Sequence, residues 1–442
     1  MTTLASLYPQ HIETVTGIWR RGLERAGCES VLIAGGEPHQ VFLDDQDYPL
    51  KVNAHFKHFA PVLDNPHCFI FYRPGERPRL LFYQPVDFWY KPADPPDAFW
   101  TGEFDLRMIA NPGDARRELP DDLSGCAFVG EWSEPFGDWG LGPANPEALL
   151  NCIHFHRAWK TAYELECLRD ASRLGAAAHH AAERIFHDGG TEFDIHLAFQ
   201  AACGLTEHQL PYGNIIALNE HGSVLHYQHQ SRHQPEWRLS FLIDAGAQFH
   251  GYASDITRTH AAAEGEFAEL VAAMHEGQLA LCDRVRPGLH YPELQAEAHR
   301  LAGRLLERFG IVGLDAEGAV ESGLTRYFFP HGVGHYLGLQ VHDAGGFLAD
   351  ESGNTLPRPD DQPFLRLTRT VEENQVFTVE PGLYFIEPLL ADLKDSSLAG
   401  EVNWDRVEAF RPYGGVRIED NVAVTADGHE NLTRVAFDSL GG

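Results

Sequence analysis

The chain reads as a mixed α/β (α+β) protein of two domains, on three observations. Its 442 residues exceed the size at which a single hydrophobic core usually stops growing. Short apolar runs of strand length alternate with stretches of helical periodicity. The pattern also changes near residue 155, after a Pro/Asn cluster at Pro143–Pro146. These features predict an N-terminal α/β domain over residues 1–155 and a second domain over 156–442.

The elements follow in order. His11 to Ala26 reads as an amphipathic helix, and short apolar runs at Ser30–Ala34, Cys68–Tyr72, Arg79–Tyr83 and Ala127–Val129 read as strands. Lys91–Pro96 is a proline-rich loop. Thr161 to His187 carries Leu165, Leu168, Leu174, Ala178, Ala181 and Ile185 near helical spacing, and Gly189-Gly190 stops it. Thr191 opens the next helix, with Asp194 three residues on in the pattern of a capping box. Phe267 to Cys282 places Leu270, Val271, Met274 and Leu281 along a third helix. Ser240–Ile243, Val376–Val379 and Val416–Ile418 are strand-like, and residues 346–363 and 388–411 read as loops.

Composition narrows the function. With 43% hydrophobic and 11% aromatic residues the chain has the make-up of a folded soluble protein. A net charge of −30 speaks against nucleic acid or an anionic membrane as partner, since either needs a basic patch. No apolar run approaches the length of a membrane span, and the start lacks the pattern of a signal peptide. Seven cysteines without a CxxC pair suggest reduced thiols in a cytoplasmic protein rather than a disulfide framework.

The chemistry centres on two aspartates, Asp244 and Asp255, in FLIDAGAQFHGYASDITRT. A hairpin turning between Phe249 and His250 sets them directly opposite one another, with Cβ atoms roughly 4.5–5.5 Å apart. Two bare carboxylates that close repel unless a cation sits between them, and a pair of metal ions is the natural occupant. Three further segments add donors: His331-Gly-Val-Gly-His335, the strand end Val376-Phe-Thr-Val-Glu380, and Gly415-Val-Arg-Ile-Glu419. Taken singly, each is as readily an edge-strand or structural residue. Two glycines make the His-x3-His segment a turn rather than a helix. Together Asp244, Asp255, His335, Glu380 and Glu419 supply hard oxygen donors and one nitrogen, a set suited to Mn²⁺, Co²⁺ or Zn²⁺. Two dications neutralise four carboxylates.

The order Asp, Asp, His, Glu, Glu within D-A-G…D-I-T-R-T, H-G-V-G-H-Y-L-G-L-Q-V-H-D, V-E-P-G-L-Y-F and V-R-I-E-D-N resembles the signature of the pita-bread metallopeptidases. N-E-H-G-S-V-L-H-Y, F-L-R-L-T-R and G-G-V-R-I-E are closer still to bacterial Xaa-Pro dipeptidases (prolidases), in the branch that also hydrolyses organophosphorus compounds. The N-terminal F-L-D-D-Q-D-Y-P and D-N-P-H-C-F match that branch too. The resemblance implies a pita-bread catalytic domain over 156–442. It implies that residues 1–155 serve dimerisation and cover the substrate site. It further implies two divalent ions per subunit, foremost Mn²⁺, carrying a bridging hydroxide that attacks an Xaa-Pro dipeptide, in a homodimer.

By the same resemblance Asp244, Asp255, His335, Glu380 and Glu419 ligate metal, and Glu380 also moves the proton. His226, His331 and His342 contribute catalytic hydrogen bonds. Arg366 and Arg417 receive the substrate carboxylate, with Arg369 a weaker candidate that reads equally as surface charge. Tyr212, Leu225 and Val341 form walls, and Asp45 and Trp89 reach into the partner's site. The competing readings are an aminopeptidase P acting on longer peptides, a phosphotriesterase side activity, and a non-catalytic or creatinase-like pita-bread protein.

Overall fold

The computed structural model describes residues 3–441. It contains two compact units. One comprises the chain up to residue 167 together with 348–355, and the other comprises 168–347 with 356–442.

The first unit is built on a five-stranded mixed sheet in the order β4-β3-β2-β1-β5. Its strands are β1 Ser30–Ala34, β2 Phe69–Tyr72, β3 Arg79–Tyr83, β4 Asp105–Ile109 and β5 Cys126–Val129. Leu32, Phe69, Phe71, Leu81, Phe128 and Phe136 form part of its core. β4, Asp-Leu-Arg-Met-Ile, escapes a sequence reading because its charged residues mask the apolar run. It is an edge strand, where such residues are tolerated. The first helix runs Leu4–Ala26, starting seven residues before the expected His11. It ends on Gly27, whose φ of 66° suits a left-handed cap.

The second unit holds the remaining ten strands as small sheets. β6 Ile215–Leu218, β7 Ser240–Asp244 and β10 Thr257–Ala261 form one antiparallel sheet in the order β10-β7-β6. The short strands β8 Gln248–Phe249 and β9 Tyr252–Ala253 make the hairpin between β7 and β10. β11 Val376–Val379 pairs with β14 Asp420–Val424, which pairs with β15 His429–Asn431, and β12 Gly382–Tyr384 pairs with β13 Gly415–Arg417. An isolated bridge, Thr257 to Glu419, joins the β10 sheet to the β13–β14 junction. The helices Ala162–His187 and Glu192–Cys203 pack Ala178, Phe186, Ile195 and Phe199 against Ile216, Phe241 and Ile243. The capping box at Thr191 is complete, with Thr191 N–H on Asp194 and Asp194 N–H on the Thr191 hydroxyl.

Two expectations need correction. The stretch 388–411 is not a loop: it holds helices Glu387–Lys394 and Trp404–Phe410. Each has only two turns and one buried apolar pair at i, i+3, Leu390/Leu393 and Val407/Phe410, too little for periodicity to be read. The hairpin register is also displaced by two. Phe249 pairs with Tyr252 and Asp244 with Thr257, because the turn is His250-Gly251, both at positive φ (49° and 89°). A shift of two preserves the face, since side chains alternate with period two. Asp255 therefore still shares a side with Asp244 and lies across from Gly246. A side chain at Gly246 would come within 2.0 Å of the Ser254 carbonyl.

Among the described residues no helix is long and apolar enough to cross a membrane. None of the seven cysteines forms a disulfide, and all but Cys28 are buried.

Candidate metal centre

Four of the five donors stand at the end or junction of a strand, where the backbone is held but the side chain can leave the sheet. Asp244 closes β7, Asp255 follows β9, Glu380 follows β11, and Glu419 separates β13 from β14. His335 lies on the glycine-rich turn, which is not helical. Its N–H donates to Thr378 Oγ1 and its carbonyl accepts from Thr378 N–H, so the turn is laced to β11. Glu380 N–H donates to Val333 O and Glu419 N–H to Thr257 O.

These anchors bring the side chains together. Donor atoms of Asp255, His335 and Glu419 all lie within 4.8 Å of one another. His335 Nε2 is 3.4 Å from Asp255 Oδ2 and 3.7 Å from Glu380 Oε1. The Tyr212 hydroxyl sits 2.8 Å from Asp244 Oδ1 and 2.6 Å from Asp255 Oδ1, joining the aspartates. His335 Nδ1 lies 3.0 Å from the Tyr336 carbonyl and donates to it, which orients the ring so that Nε2 faces the carboxylates.

The comparisons with known proteins bear on this geometry. Residues 6–155 match the family model for the Xaa-Pro dipeptidase N-terminal domain, and residues 166–426 match metallopeptidase family M24. The chain is 50% identical to a Pseudoalteromonas translucida Xaa-Pro dipeptidase over 98% of its own length and 99% of that protein's. It is 49% identical to one from Aeromonas hydrophila over 99% and 100%. This chain belongs to the Xaa-Pro dipeptidases of metallopeptidase family M24. Among solved structures, Escherichia coli aminopeptidase P superposes with a TM-score of 0.70 at 22% identity over 95% of both chains. Pseudomonas aeruginosa aminopeptidase PepP gives 0.73 at 21%, over 97% of this chain and 98% of that one. Those likenesses establish the fold, and the second unit is the M24 pita-bread domain.

The donor set of this M24 chain fits divalent metal. Burial pushes Glu380 up to about 7 and Asp244 up to about 6, against partial relief from nearby cations. Glu419 is driven well above the carboxylate range by burial and then by Asp255. For Asp255 burial acts upward, but the His335 hydrogen bond and charge outweigh it and hold the group low. A cluster that strains to keep its protons when bare is one that a dication stabilises. Binding has to displace protons from Glu380, Asp244 and Glu419, all raised by burial, and from His335, which its hydrogen bond to Asp255 raises against burial. The stabilisation conferred by Mn²⁺ is therefore expected to grow as pH rises through about 6 and 7 and to fade below. His331, kept neutral down to about 3 by burial and Arg417, also makes overall stability rise with pH, between about 3 and its ordinary 6.5. That contribution cancels in the difference between loaded and chelated protein. Melting temperatures with and without Mn²⁺ across this range test the expectation, and a pH-independent difference would contradict it.

The other site residues fall into three groups. His331 is held from both sides: its Nε2 accepts from the Tyr384 hydroxyl at 2.7 Å, and its Nδ1 donates to Gly332 O at 2.9 Å. Nδ1 also stands 3.6 Å from Glu380 Oε2. His342 is exposed and packs edge-on against the His335 ring at 4.3 Å between centroids. His226 is exposed, and burial of part of the ring, Arg417 and Arg366 together hold its pKa down. Leu225, Val341 and Tyr212 are half-buried.

Arg417 is buried and engaged through three donors: Nε to Thr257 Oγ1, Nη1 to Tyr384 Oη and Nη2 to Asp244 Oδ2. Arg366 is exposed. Arg369 is buried over the Tyr336 ring and is not a surface charge. Asp45 and Trp89 belong to the first unit and are exposed.

Sequence reasoning missed Tyr384 and Thr257. Tyr384 links His331 to Arg417, and Thr257 donates to Glu419 Oε2 at 2.6 Å while accepting from Arg417. Both sit in strand runs where an aromatic or β-branched residue is the ordinary choice, so nothing local marks them.

Proposed function

We propose that this chain hydrolyses Xaa-Pro dipeptides with two divalent metal ions, Mn²⁺ foremost, held by Asp244, Asp255, His335, Glu380 and Glu419. The observation that carries the reading is the convergence of Asp255, His335 and Glu419, with Glu380 3.7 Å from His335 Nε2 and Asp244 joined to Asp255 through the Tyr212 hydroxyl. When bound, the ions lower the pKa of a water and polarise the scissile carbonyl. Glu380, a carboxylate at the end of a buried strand beside the centre, is placed to take the proton of the attacking water. It then returns that proton to the prolyl nitrogen as the C–N bond breaks. His226 and His342 donate hydrogen bonds to the substrate and to the tetrahedral intermediate. His331 supports Glu380 through its tether to Tyr384.

Dipeptide length is read at the free carboxylate beside the scissile bond. We assign that task to Arg366, with Arg417 joining through the N–H groups that Asp244, Tyr384 and Thr257 leave unused. Tyr212, Leu225 and Val341 wall the pocket. Residues 1–155 serve dimerisation and site cover, 156–442 the catalysis, and Asp45 and Trp89 enter the partner's site in a cytoplasmic homodimer. Seven cysteines outside any disulfide support the reducing location. Hydrolysis of organophosphorus esters is a side activity of the same centre.

Ala-Pro against Ala-Pro-Ala tests the assignment. The dipeptide is expected to turn over efficiently and the tripeptide poorly. Efficient cleavage of the tripeptide alone would mean an aminopeptidase P.

A further inference from the structure

A second group of metal-type donors lies in the first unit, apart in sequence from the five donors above. Cys152 and His156 stand four residues apart on the helix Glu147–His156, hence on one face. Glu351 comes from the turn whose ends pair through the bridge Leu348 to Thr355. The turn is shaped for its seat. Ser352 N–H and Asn354 Nδ2 donate to Asp350, and Arg25 donates to Ser352 Oγ. Gly353 has a φ of 89°, and a side chain there would come within 2.1 Å of the Asn151 amide.

The three donor atoms are spaced for a tetrahedral ion. Cys152 Sγ and His156 Nε2 each lie 3.3 Å from Glu351 Oε2, and all three atoms fall within 4.8 Å of one another. Zinc-type bond lengths of about 2.0 Å to oxygen, 2.05 Å to nitrogen and 2.3 Å to sulfur give tetrahedral edges of about 3.3 Å (O···N) and 3.5 Å (O···S). The outer oxygen of Glu351 accepts from Arg21 at 3.1 Å, the kind of second partner that orients a monodentate carboxylate ligand. Cys152 and the His156 Nε2 atom are buried, while the His156 and Glu351 side chains as a whole keep 21% and 24% of their exposure.

We propose that Cys152, His156 and Glu351 form a mononuclear site for a borderline divalent cation of the zinc class, with water as fourth ligand, that staples the 348–355 turn to the helix. Binding releases the Cys152 thiol proton to solvent, so thiolate and carboxylate neutralise the dication. The alternative is a plain S–H to carboxylate hydrogen bond with no affinity for metal.

Cobalt(II) separates the two, because the five donors of the candidate catalytic centre include no sulfur. Full-length protein titrated with Co²⁺ is expected to develop a thiolate-to-cobalt charge-transfer band in the near ultraviolet, whose full amplitude corresponds to one cobalt per chain beyond those taken up by the five-donor centre. Cys152→Ser is expected to lose the band and to bind one metal fewer, with Ala-Pro turnover unchanged. Glu351→Gln, which keeps the thiol and the shape of the turn, is expected to need more cobalt to reach the same absorbance. A wild-type protein without the band, or a band that survives Cys152→Ser, would overturn the proposal.

Discussion

Glu380→Gln is expected to lower kcat for Ala-Pro by about 10²–10⁴-fold, the range for loss of a positioned proton carrier. The same substitution should leave the metal-free protein at least as stable as the parent above about pH 7. The two outcomes have one cause. Glu380 ends a buried strand with Asp244 and Asp255 pushing against its charge, and burial pushes its carboxyl up to about 7. An amide of the same shape keeps an oxygen toward the centre but carries no negative charge and exchanges no proton. Steady-state kinetics, metal content and the melting temperature of chelated protein read the three consequences separately. A variant that keeps parental kcat with full metal content would remove Glu380 from the proton path.

Asp420→Ala is expected to destabilise the fold by about 3–5 kcal/mol, the cost of leaving buried charge without its counterion. Asp420 is completely buried and accepts from Arg258 Nη2 at 2.8 Å, Arg434 Nε at 2.7 Å and Asn431 Nδ2 at 2.8 Å. Arg258 in turn donates to the backbone carbonyls of Thr257 and Glu419. The pair thus fixes the bridge on which Glu419 stands. Burial raises the Asp420 pKa, but Arg258 and Arg434 pull it down to about 2 from an ordinary 3.8. The stabilisation is therefore complete above about pH 4 and is lost as pH falls toward 2. Denaturant unfolding of the variant checks the magnitude, and a loss under about 1 kcal/mol would mean that water satisfies the two arginines.

What the sequence reveals about this molecule depends on how far apart the interacting residues lie. The strands β1, β3 and β11 are legible because each is a short apolar run bounded by turn residues. The turn at His331–His335 is legible because two glycines forbid a helix there. The face shared by Asp244 and Asp255 survives a register displaced by two, since only parity decides it. The helices Glu387–Lys394 and Trp404–Phe410 are not legible, since two turns do not establish a period. Nor is the commitment of Arg417. That depends on Asp244, Thr257 and Tyr384 meeting in space, 173, 160 and 33 residues away along the chain. The five donors can be chosen from the sequence only because each interrupts an apolar or glycine-rich stretch with a charge or an imidazole. Tyr384 and Thr257 interrupt nothing and stay hidden.

The central claim is that the catalytic power of this chain resides in paired divalent cations held by Asp244, Asp255, His335, Glu380 and Glu419. Exhaustive chelation followed by stepwise return of Mn²⁺, with Ala-Pro hydrolysis followed at each step, tests it most directly. Activity is predicted to vanish on chelation and to return in full at two ions per chain. Undiminished hydrolysis by the metal-stripped protein would contradict the account.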